Sequence, residues 1–269
     1  MDTSAPDIYF DNNGFCNFCN DFLKNKNKFN NSLSLNKLIK EIKITKKNNK
    51  YDCLIGISGG IDSCWAIKKA VDCGLNPLAV HFDNGWNTNL SQENIYKLLK
   101  KLDIDLITYV VDWDEYVDIQ KAFFKSNVVD IELINDNALI RINYEIAHKY
   151  KIKYILAGTN NATEGMRMPQ GWNWFKYDKK NIKSIYKKYG SGNIKSLPTI
   201  GTIDYIYFGV FKKIKWISFL DYFEYNKNDA MQELNKFSNF HVYEGKHFES
   251  IFTRFYQAYI LPKKFNIEK

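Results

Sequence analysis

The feature that most constrains the fold is the stretch YDCLIGISGGIDSCWAIKKA, residues 51–70. Its apolar first part is typical of a buried strand, and its last part is typical of a helix, which we expect to end at Gly74. Between them stands the short turn Ser58-Gly59-Gly60-Ile61-Asp62-Ser63. Glycines let the backbone close around an anion, and the N-terminus of the following helix adds unpaired N–H groups. The stretch therefore predicts a strand, a phosphate-binding loop and a helix in succession.

Strands and helices continue to alternate after this unit. The runs PLAVHFD (77–83), IDLITYVVD (104–112) and YILAGT (154–159) resemble strands, and helical patterns separate them. Such alternation predicts an α/β fold with a doubly wound, mostly parallel sheet. We expect a short cysteine-containing N-terminal segment with a helical linker (1–50), the nucleotide-binding α/β domain (51–165), and an aromatic-rich, mainly helical region (166–269). In the last region, the run IDYIYFGVFKKIKWISFLDYF (203–223) is expected to be helical.

Composition excludes several classes of protein. The chain is 45% hydrophobic, yet no stretch reaches the roughly 20 apolar residues that span a bilayer, and no signal peptide opens it. We therefore expect a cytoplasmic location and no membrane partner. Five cysteines are an odd number without extracellular context, so a disulfide framework is not expected.

The net charge of +8 invites a nucleic-acid partner, but the type of base argues against it. Of 38 basic residues, 35 are lysine, and asparagine is abundant as well, which favours a solvated lysine surface. The three arginines are Arg141, Arg167 and Arg254. Because lysine cannot replace the planar guanidinium in bidentate contacts, these three are better candidates for binding sites.

The turn itself lacks the G-x-G-x-x-G and G-x-x-x-x-G-K-[ST] patterns of other nucleotide sites. SGGIDS after an apolar strand instead resembles the loop of the PP-loop ATP pyrophosphatase superfamily. The resemblance implies ATP binding, cleavage between its α- and β-phosphates, and release of pyrophosphate. It implies nucleotide contacts from residues of the loop and of two other strand ends: Ser58, Gly59, Gly60, Asp62, Ser63, Asp83, Asn84, Gly158 and Thr159. Asp62, Ser63 and Glu164 are the candidate catalytic residues, and Asp62 and Glu164 could bind Mg²⁺ on the phosphates.

A narrower resemblance extends over the whole chain. The stretches MDTSAPDIYFDNNGFCNFC, HFDNGWN, GTNNATEG and GKHFESIFTRFYQAYILPKKF are together similar to the N-acetyl sugar amidotransferase family of bacterial surface-polysaccharide and flagellin-glycan pathways. The resemblance implies conversion of an acetamido group into an acetamidino group on a sugar or nucleotide sugar. ATP would activate the amide oxygen, and ammonia would displace AMP. It also implies a separate glutaminase and, in some members, a cyclase-like partner that supplies ammonia.

Further site residues follow from the same resemblance. Arg167, Trp172, His247 and Arg254 are candidates for sugar or phosphate contacts, although aromatic side chains such as that of Trp172 could equally close a core. Members of that family usually carry a second CxxC pair upstream and extend past LPKKF. Cys16 and Cys19 form one such pair, which cannot close a four-coordinate zinc site alone, so Zn²⁺ remains an open alternative.

Two other functions compete with the sugar amidotransferase. The first is another PP-loop enzyme, such as a tRNA-modifying thiolase or a lysidine synthase, which would use the positive charge for RNA and bind it with a steep salt dependence. The second is a degenerate nucleotide-binding subunit that docks a partner. The intact SGGIDS loop counts against the second.

Overall fold

Five parallel strands form one sheet within the part of the chain that the structure covers. The structure is a computed structural model, and it describes residues 3, 5–25, 32–46, 48–161, 165–241 and 249–267. The strands are β1 (Cys53–Gly56), β2 (Pro77–Asp83), β3 (Leu106–Val110), β4 (Tyr154–Ala157) and β5 (Lys215–Ser218).

Helices connect the strands and follow them. Among the described residues, six helices precede the fourth strand: α1 (Asn17–Asn25), α2 (Ser32–Lys46), α3 (Ile61–Asp72), α4 (Asn89–Leu102), α5 (Trp113–Ser126) and α6 (Leu133–Lys149). The later ones are α7 (Lys179–Tyr189), α8 (Thr202–Ile206), α9 (Lys227–Ser238), α10 (Ile251–Phe255) and α11 (Leu261–Phe265). Single π-helical turns continue α8 (Tyr207–Phe211) and join α10 to α11 (Tyr256–Ile260), and a 3₁₀ turn follows β5 (Phe219–Tyr222).

The strand order β3-β2-β1-β4-β5 places the loop after β1 at a switch point. From β1 the chain adds β2 and β3 on one side, and it then returns to add β4 and β5 on the other side. Leu54 is accordingly in register with Leu78 of β2 and with Ile155 of β4. In open parallel sheets, ligands bind beyond the carboxyl ends of the strands at such a point.

Two hydrophobic cores lie on opposite faces of the sheet because successive strand residues point in opposite directions. Leu54 and Leu78 belong to one core, together with residues of α5 and α6, whereas Ile55 and Ala79 belong to the other, together with residues of α2, α3 and α4. Phe18 of α1, 1% exposed, packs in the first core. The predicted doubly wound α/β fold is thus confirmed.

One prediction about the second half of the chain is wrong. The run 203–223 was expected to be helical throughout, but its centre forms β5, which pairs in parallel with β4 from Tyr154↔Lys215 to Ala157↔Ser218. The run is apolar and aromatic without clear alternation, so its periodicity cannot distinguish a strand from a helix. The segment forms a strand because the edge of β4 is open for pairing.

β4 lies before residue 165 and β5 lies after it, so one sheet includes residues from both sides of the predicted division of the chain. That division stays a prediction.

No helix among the described residues is long and apolar enough to cross a membrane.

Candidate active site

The turn after β1 folds back on itself through its two serines. The backbone N–H of Ser58 donates to Oγ of Ser63 at 3.1 Å, and Oγ of Ser63 donates to the carbonyl of Gly60 at 3.2 Å. The N–H of Gly60 donates to Oγ of Ser58 at 3.3 Å, and the two hydroxyl oxygens are 3.1 Å apart. Gly60 is the N-cap of α3 and has no side-chain cap, so the helix N-terminus faces the turn directly. Backbone and hydroxyl donors therefore converge on the site where an anion is stabilised by a helix N-terminus.

Two glycines make room for this arrangement. Gly59 has a φ of +83°, and a Cβ there would lie 2.5 Å from the carbonyl oxygen of Ser91, in the first turn of α4. A Cβ on Gly158, which follows β4, would lie 2.9 Å from the backbone N of Ser63. The turn is therefore pressed between α4 and the end of β4, and only glycine fits at either contact. The residues present fit a phosphate-binding cradle.

Asp62 is the carboxylate of the turn, and a distant residue holds it. The phenol of Tyr225 donates a hydrogen bond to Oδ1 of Asp62. The ring of Tyr225 packs against Trp65 of α3, with 5.3 Å between ring centroids. Sequence reasoning missed Tyr225, because it lies 163 residues away in the chain, just before α9.

A second carboxylate, that of Glu249, also reaches the turn. Its Cδ and Oε1 would be 3.7 and 3.8 Å from a Cβ placed on Gly60. The backbone N–H of Thr88 donates to the carbonyl of Glu249 at 3.1 Å, and Asn87 and Ser250 form an antiparallel bridge. The C-terminal segment is thus attached to the loop after β2, and that attachment carries Glu249 to the turn. Sequence reasoning missed this residue too; its place beside His247 in the GKHFES stretch was the available signal.

Asp62 and Glu249 supply the oxygen ligands that Mg²⁺ prefers, so the donor set fits this ion beside a phosphate.

Cys64, at the start of α3, cannot act as a nucleophile at neutral pH. Burial raises the pKa of its thiol to about 12, so the thiol stays protonated.

Asp83 and Asn84 lie at the end of β2, as expected, but both organise the following loop. Oδ1 of Asp83 accepts from the N–H of Gly85 at 3.0 Å and from the side chain of Asn87 at 3.2 Å. Asn84 Nδ2 donates to Asn135 at 2.8 Å. A cavity of about 430 Å³ opens beside Asp83. Its lining is mainly apolar and comes from β2, α4, β3 and the connection between α4 and β3: His81, Asp83, Gln92, Ile95, Tyr96, Leu99, Lys100, Ile104, Leu106 and Thr108.

His81 links this cavity to the turn. It is 5% exposed, and its Nδ1 hydrogen-bonds the carbonyl oxygen of Ile57 at 2.9 Å, so Nδ1 carries the proton. At the end of β4, Thr159 Oγ1 donates to Ser218 Oγ at 3.0 Å, which joins that rim to β5.

The other predicted residues are distributed over several environments. The guanidinium of Arg167 lies 5.1 Å from the ring centroid of Phe18 in α1, and Trp172, 7% exposed, packs in a hydrophobic core. Arg254 lines a separate apolar cavity between α5 and α10. Glu164 and His247 lie outside the described residues.

Cys16 and Cys19 are close, with 3.2 Å between their sulfurs. Burial raises the pKa of the Cys16 thiol, but hydrogen bonds from Cys19 outweigh this and lower it overall. Across the described ranges, no group of three or more His, Cys, Asp or Glu side chains could hold a metal ion. Zn²⁺ therefore has no support in the structure.

A glycine turn at a helix N-terminus, placed at the switch point of a parallel sheet, defines a phosphate-binding site of the nucleotide-dependent α/β class. The NAD synthase family matches residues 34–170, just over half of the chain, and the protein belongs to this family. The match covers the turn and the first four strands. The match confirms the resemblance to the PP-loop superfamily. It does not show membership of the sugar amidotransferase family.

Curated relatives cover only part of the chain. An uncharacterised protein of Methanocaldococcus jannaschii, MJ1016, is 29% identical over 188 residues, which are 66% of this chain and 61% of the relative. Another from that organism, MJ1599, is 27% identical over 53% of this chain and 48% of the relative. The glutamine-hydrolysing GMP synthase of Wigglesworthia glossinidia brevipalpis is 32% identical over 57% of this chain and 30% of its own length. The chain thus spans less than two thirds of each of these relatives.

Solved structures with a related arrangement include an NH3-dependent NAD synthetase from Campylobacter jejuni, 16% identical over 59% of this chain and 73% of the other, with a TM-score of 0.37. An NMN synthetase from Francisella tularensis is 18% identical over 82% of this chain and 90% of the other, with a TM-score of 0.35.

Proposed function

We propose that the protein is an ATP-dependent, AMP-forming amidotransferase that converts an acetamido group of a sugar into an acetamidino group. The observation that carries the ATP part is the cradle around Gly59, with Asp62 inside it and Glu249 beside it. Membership of the NAD synthase family also supports an ATP-dependent reaction. The sugar part is supported by the resemblance of the HFDNGWN and GKHFES stretches, whose segments meet at the Asn87–Ser250 bridge beside the turn.

The chemistry requires activation before amination. An amide oxygen is a poor leaving group, so the oxygen first attacks the α-phosphorus of ATP while the bond to the β-phosphate breaks. Pyrophosphate leaves and an imidate-type adenylate remains. Ammonia then attacks the imidate carbon, the C–O bond breaks, and AMP departs with the oxygen. The product carries NH in place of O and is about one mass unit lighter.

The residues of the turn have distinct roles in this scheme. The N–H groups of Ser58 and Gly60 and the hydroxyl of Ser63 hydrogen-bond within the turn. In this scheme they, together with the hydroxyl of Ser58, exchange those partners for the departing pyrophosphate and stabilise the charge that builds up on it. Removing one such donor typically lowers turnover about 10²–10³-fold. Asp62 and Glu249 would hold Mg²⁺, which neutralises phosphate charge when bound. The cavity beside Asp83 would take the adenosine end of ATP.

Ammonia would come from a partner glutaminase, alone or with a cyclase-like subunit that passes it on. The relative named as a glutamine-hydrolysing synthase supports nitrogen transfer as the reaction class.

The test is product analysis with ATP, Mg²⁺ and ammonium, together with a panel of acetamido sugars and nucleotide sugars. We expect sugar-dependent AMP and pyrophosphate, and a product about one mass unit lighter by mass spectrometry. Asp62→Asn should abolish both. This substitution keeps the size of the side chain and an acceptor for Tyr225, so a loss of activity reports the charge.

Other product patterns would refute the proposal. ADP in place of AMP would exclude cleavage between the α- and β-phosphates. AMP formation that depends on tRNA and not on any sugar would assign the protein to the tRNA-modifying enzymes instead. ATP binding without any turnover, even with ammonium and a glutaminase partner, would favour the degenerate nucleotide-binding subunit.

A further inference from the structure

Helix α8 and the π-helical turn that continues it carry an apolar stripe that faces solvent. On the inner side of this segment, Phe208 is 4% exposed and stacks on Tyr144 of α6, and Asp204 forms an ion pair with Arg141 at 3.0 Å. The outer side carries five exposed apolar residues at the spacing i, i+3, i+4, i+7 and i+8: Ile203, Ile206, Tyr207, Val210 and Phe211. A stripe with this spacing normally packs against a core. Here the described part of the fold leaves it open to solvent.

The exposed apolar surface is large and continuous. Within the stripe, the exposed fractions are 85% for Ile203, 64% for Val210 and 73% for Phe211. Aromatic rings extend the surface at its N-terminal end, because the ring centroids of Tyr205 and Tyr177 are 4.5 Å apart, and those of Tyr177 and the exposed Phe175 are 5.5 Å apart. Contiguous apolar surface of this kind, bordered by polar residues, marks a site where a protein or a membrane binds.

The segment that contains the stripe also carries the excess positive charge of the chain. Residues 179–220 include nine lysines and a single acidic residue, Asp204, which gives the segment a net charge of +8. The whole chain has the same net charge of +8, so the residues outside this segment are neutral overall. The positive charge is therefore concentrated around α7 and α8.

Ammonium groups lie at the C-terminal end of the stripe. Nζ of Lys212 is 5.0 Å from the ring centroid of Tyr207, and Nζ of Lys153 donates to the carbonyl of Lys212 at 2.6 Å. The ring of His148 lies 6.3 Å from that of Tyr207. Partial burial lowers the pKa of His148, and the charges of Lys212 and Lys153 lower it further. This end of the stripe therefore has a positive potential.

Helix α7 adds lysines beside the N-terminal end of the stripe. The antiparallel bridge between Asp178 and Gly201 joins the start of α7 to the start of α8, and Nζ of Lys179 lies 3.5 Å from Oδ2 of Asp204. Four further lysines of α7 are exposed: Lys180, Lys183, Lys187 and Lys188. The two helices, connected at their N-terminal ends, thus combine an exposed apolar stripe with exposed ammonium groups.

The charge and the type of apolar residue distinguish the occupants that fit such a surface. A second copy of the chain would bring two strongly positive segments together, which is unfavourable across an interface. A nucleic acid would pair with the lysines, but its bases stack on aromatic rings and leave the aliphatic side chains of Ile203, Ile206 and Val210 without contacts. The lysines extend along two helices, which suits an extended negative plane better than one acidic groove of a protein. An anionic lipid bilayer provides that plane and also accepts apolar side chains.

We propose that α8 and its π-helical continuation, with the lysines of α7 and residues 212–213, form a surface that binds anionic phospholipid bilayers. Residues 202–211 lie in the plane of the interface, the side chains of Ile203, Val210 and Phe211 insert below the headgroups, and the lysines contact lipid phosphates. The sequence-based expectation of no membrane partner rested on the lack of a spanning stretch, and attachment to a membrane surface requires none. This inference goes beyond the proposed reaction and does not depend on it.

Co-sedimentation of the full chain with vesicles tests the proposal. The vesicles consist of phosphatidylcholine alone or with about one third phosphatidylglycerol, and the salt concentration is about 0.1 M or about 0.5 M. We expect binding to the anionic vesicles at low salt. The affinity should be at least about tenfold weaker for neutral vesicles, which lack the attraction, and at high salt, which screens it.

Two double variants separate the apolar contribution from the electrostatic one. Ile203→Glu with Phe211→Glu should weaken binding to the anionic vesicles at least about 100-fold, because two inserted apolar side chains become charges of the same sign as the lipids. Lys212→Gln with Lys213→Gln should weaken it about 25-fold, which is about fivefold for each charge, and should reduce its salt dependence. Melting curves verify that both variants are folded.

Matched controls are available on α2, which packs in the core on the opposite face of the sheet from that of Phe208. Ile44→Glu replaces an isoleucine that is 65% exposed, and Lys40→Gln with Lys43→Gln removes two exposed charges. These residues lie farther from the proposed membrane surface than the Debye length of about 10 Å, so vesicle binding should not change.

Several outcomes would overturn the inference. Lack of vesicle binding at low salt, equal affinity for anionic and neutral vesicles, or binding that survives Ile203→Glu with Phe211→Glu each excludes it. A dimer in analytical ultracentrifugation that this double variant abolishes, without vesicle binding, would assign the stripe to a second copy of the chain. Salt-sensitive binding of single-stranded DNA, weakened only by the lysine variants and without vesicle binding, would assign the charge to a nucleic acid. Formation of AMP is assayed without vesicles, so failure of the proposed reaction leaves this inference unaffected.

Discussion

The phenol of Tyr225 donates a hydrogen bond to the carboxylate of Asp62, which connects the segment before α9 to the glycine turn after β1. The ring of Tyr225 packs on Trp65, one helical turn along α3 from Asp62. The position of the Asp62 carboxylate thus depends on a residue that lies far outside the region matched by the NAD synthase family.

Tyr225→Phe should lower turnover about 10- to 100-fold, because a hydrogen bond to a charged group contributes about 1.5–3 kcal/mol. The ring and its contact with Trp65 are kept, so the variant should remain folded, with a melting temperature only several degrees lower because of the lost hydrogen bond. Steady-state kinetics with AMP as the readout measures the effect. Tyr222→Phe is the control, because the Tyr222 hydroxyl makes no hydrogen bond within the described ranges. Equal effects of the two variants would argue against a positioning role for Tyr225.

Gly59→Ala should abolish ATP binding. The residue has a φ of +83°, and the new Cβ would meet the carbonyl oxygen of Ser91 at 2.5 Å, so the turn would have to open. The measurement is a calorimetric titration with the non-hydrolysable ATP analogue α,β-methylene-ATP in the presence of Mg²⁺. Gly171→Ala is a matched control, since Gly171 has a φ of +86° but nothing within 4 Å of its added Cβ. That control should lose only about 1–2 kcal/mol of stability to backbone strain and keep its affinity for ATP.

The first half of the fold was predictable from local patterns, and β2 shows why. The run PLAVHFD is apolar and bounded by turns, and the strand is Pro77–Asp83, as expected from the sequence. The glycine turn could also be predicted from the sequence, because the residues that form it are consecutive in the chain. Local sequence thus determines both an element and a site when the residues involved are neighbours in the chain.

The parts that escaped prediction depend on contacts distant in sequence. Lys215–Ser218 becomes a strand because β4 offers it an edge, and no periodicity in the run announces this. Tyr225 and Glu249 reach the turn only through the packing of α9 on α3 and through the attachment of residues 249–251 to residues 86–88. The hydrogen bonds of Asp83 and Asn84 to the loop amides and to Asn135 also join residues that no local pattern links, and nucleotide contact by these two residues stays a prediction.

Glu233 on α9 provides a pH-dependent test of that packing. Partial burial raises the pKa of Glu233, but hydrogen bonds from Lys68, Lys69 and Trp65 outweigh it and lower the pKa from 4.5 to about 2. A lowered pKa in the folded state means that the stabilisation is fully present above pH 4.5 and disappears as the pH falls towards 2. Because Glu233 is about one third exposed, solvent screening limits its contribution.

Glu233→Gln should therefore reduce the free energy of unfolding at pH 7 by about 1–2 kcal/mol, given about 0.2–1 kcal/mol for each exposed ion pair and the added indole bond. Urea unfolding followed by circular dichroism at pH 7, 4 and 2.5 measures the difference between the variant and the natural protein. The difference should shrink as the pH falls. The exposed pair of Glu93 and Lys97, 3.3 Å apart, supplies the control Glu93→Gln, for which we expect a smaller effect. A difference that is constant with pH would exclude the charge of Glu233 as its cause.

Glu249→Gln should change how ATP binding responds to Mg²⁺. The carboxylate stands beside Gly60 at the phosphate-binding turn, where it repels the phosphates of metal-free ATP and attracts a divalent cation. Removing its charge should tighten the binding of the ATP analogue in EDTA, weaken the gain that Mg²⁺ provides, and reduce the affinity for Mn²⁺ measured by electron paramagnetic resonance. Glu224→Gln removes the same charge from an exposed position one residue before Tyr225 and should leave all three quantities unchanged. If Glu249→Gln preserves the ratio of affinities with and without Mg²⁺, then Glu249 does not contribute to the cation site.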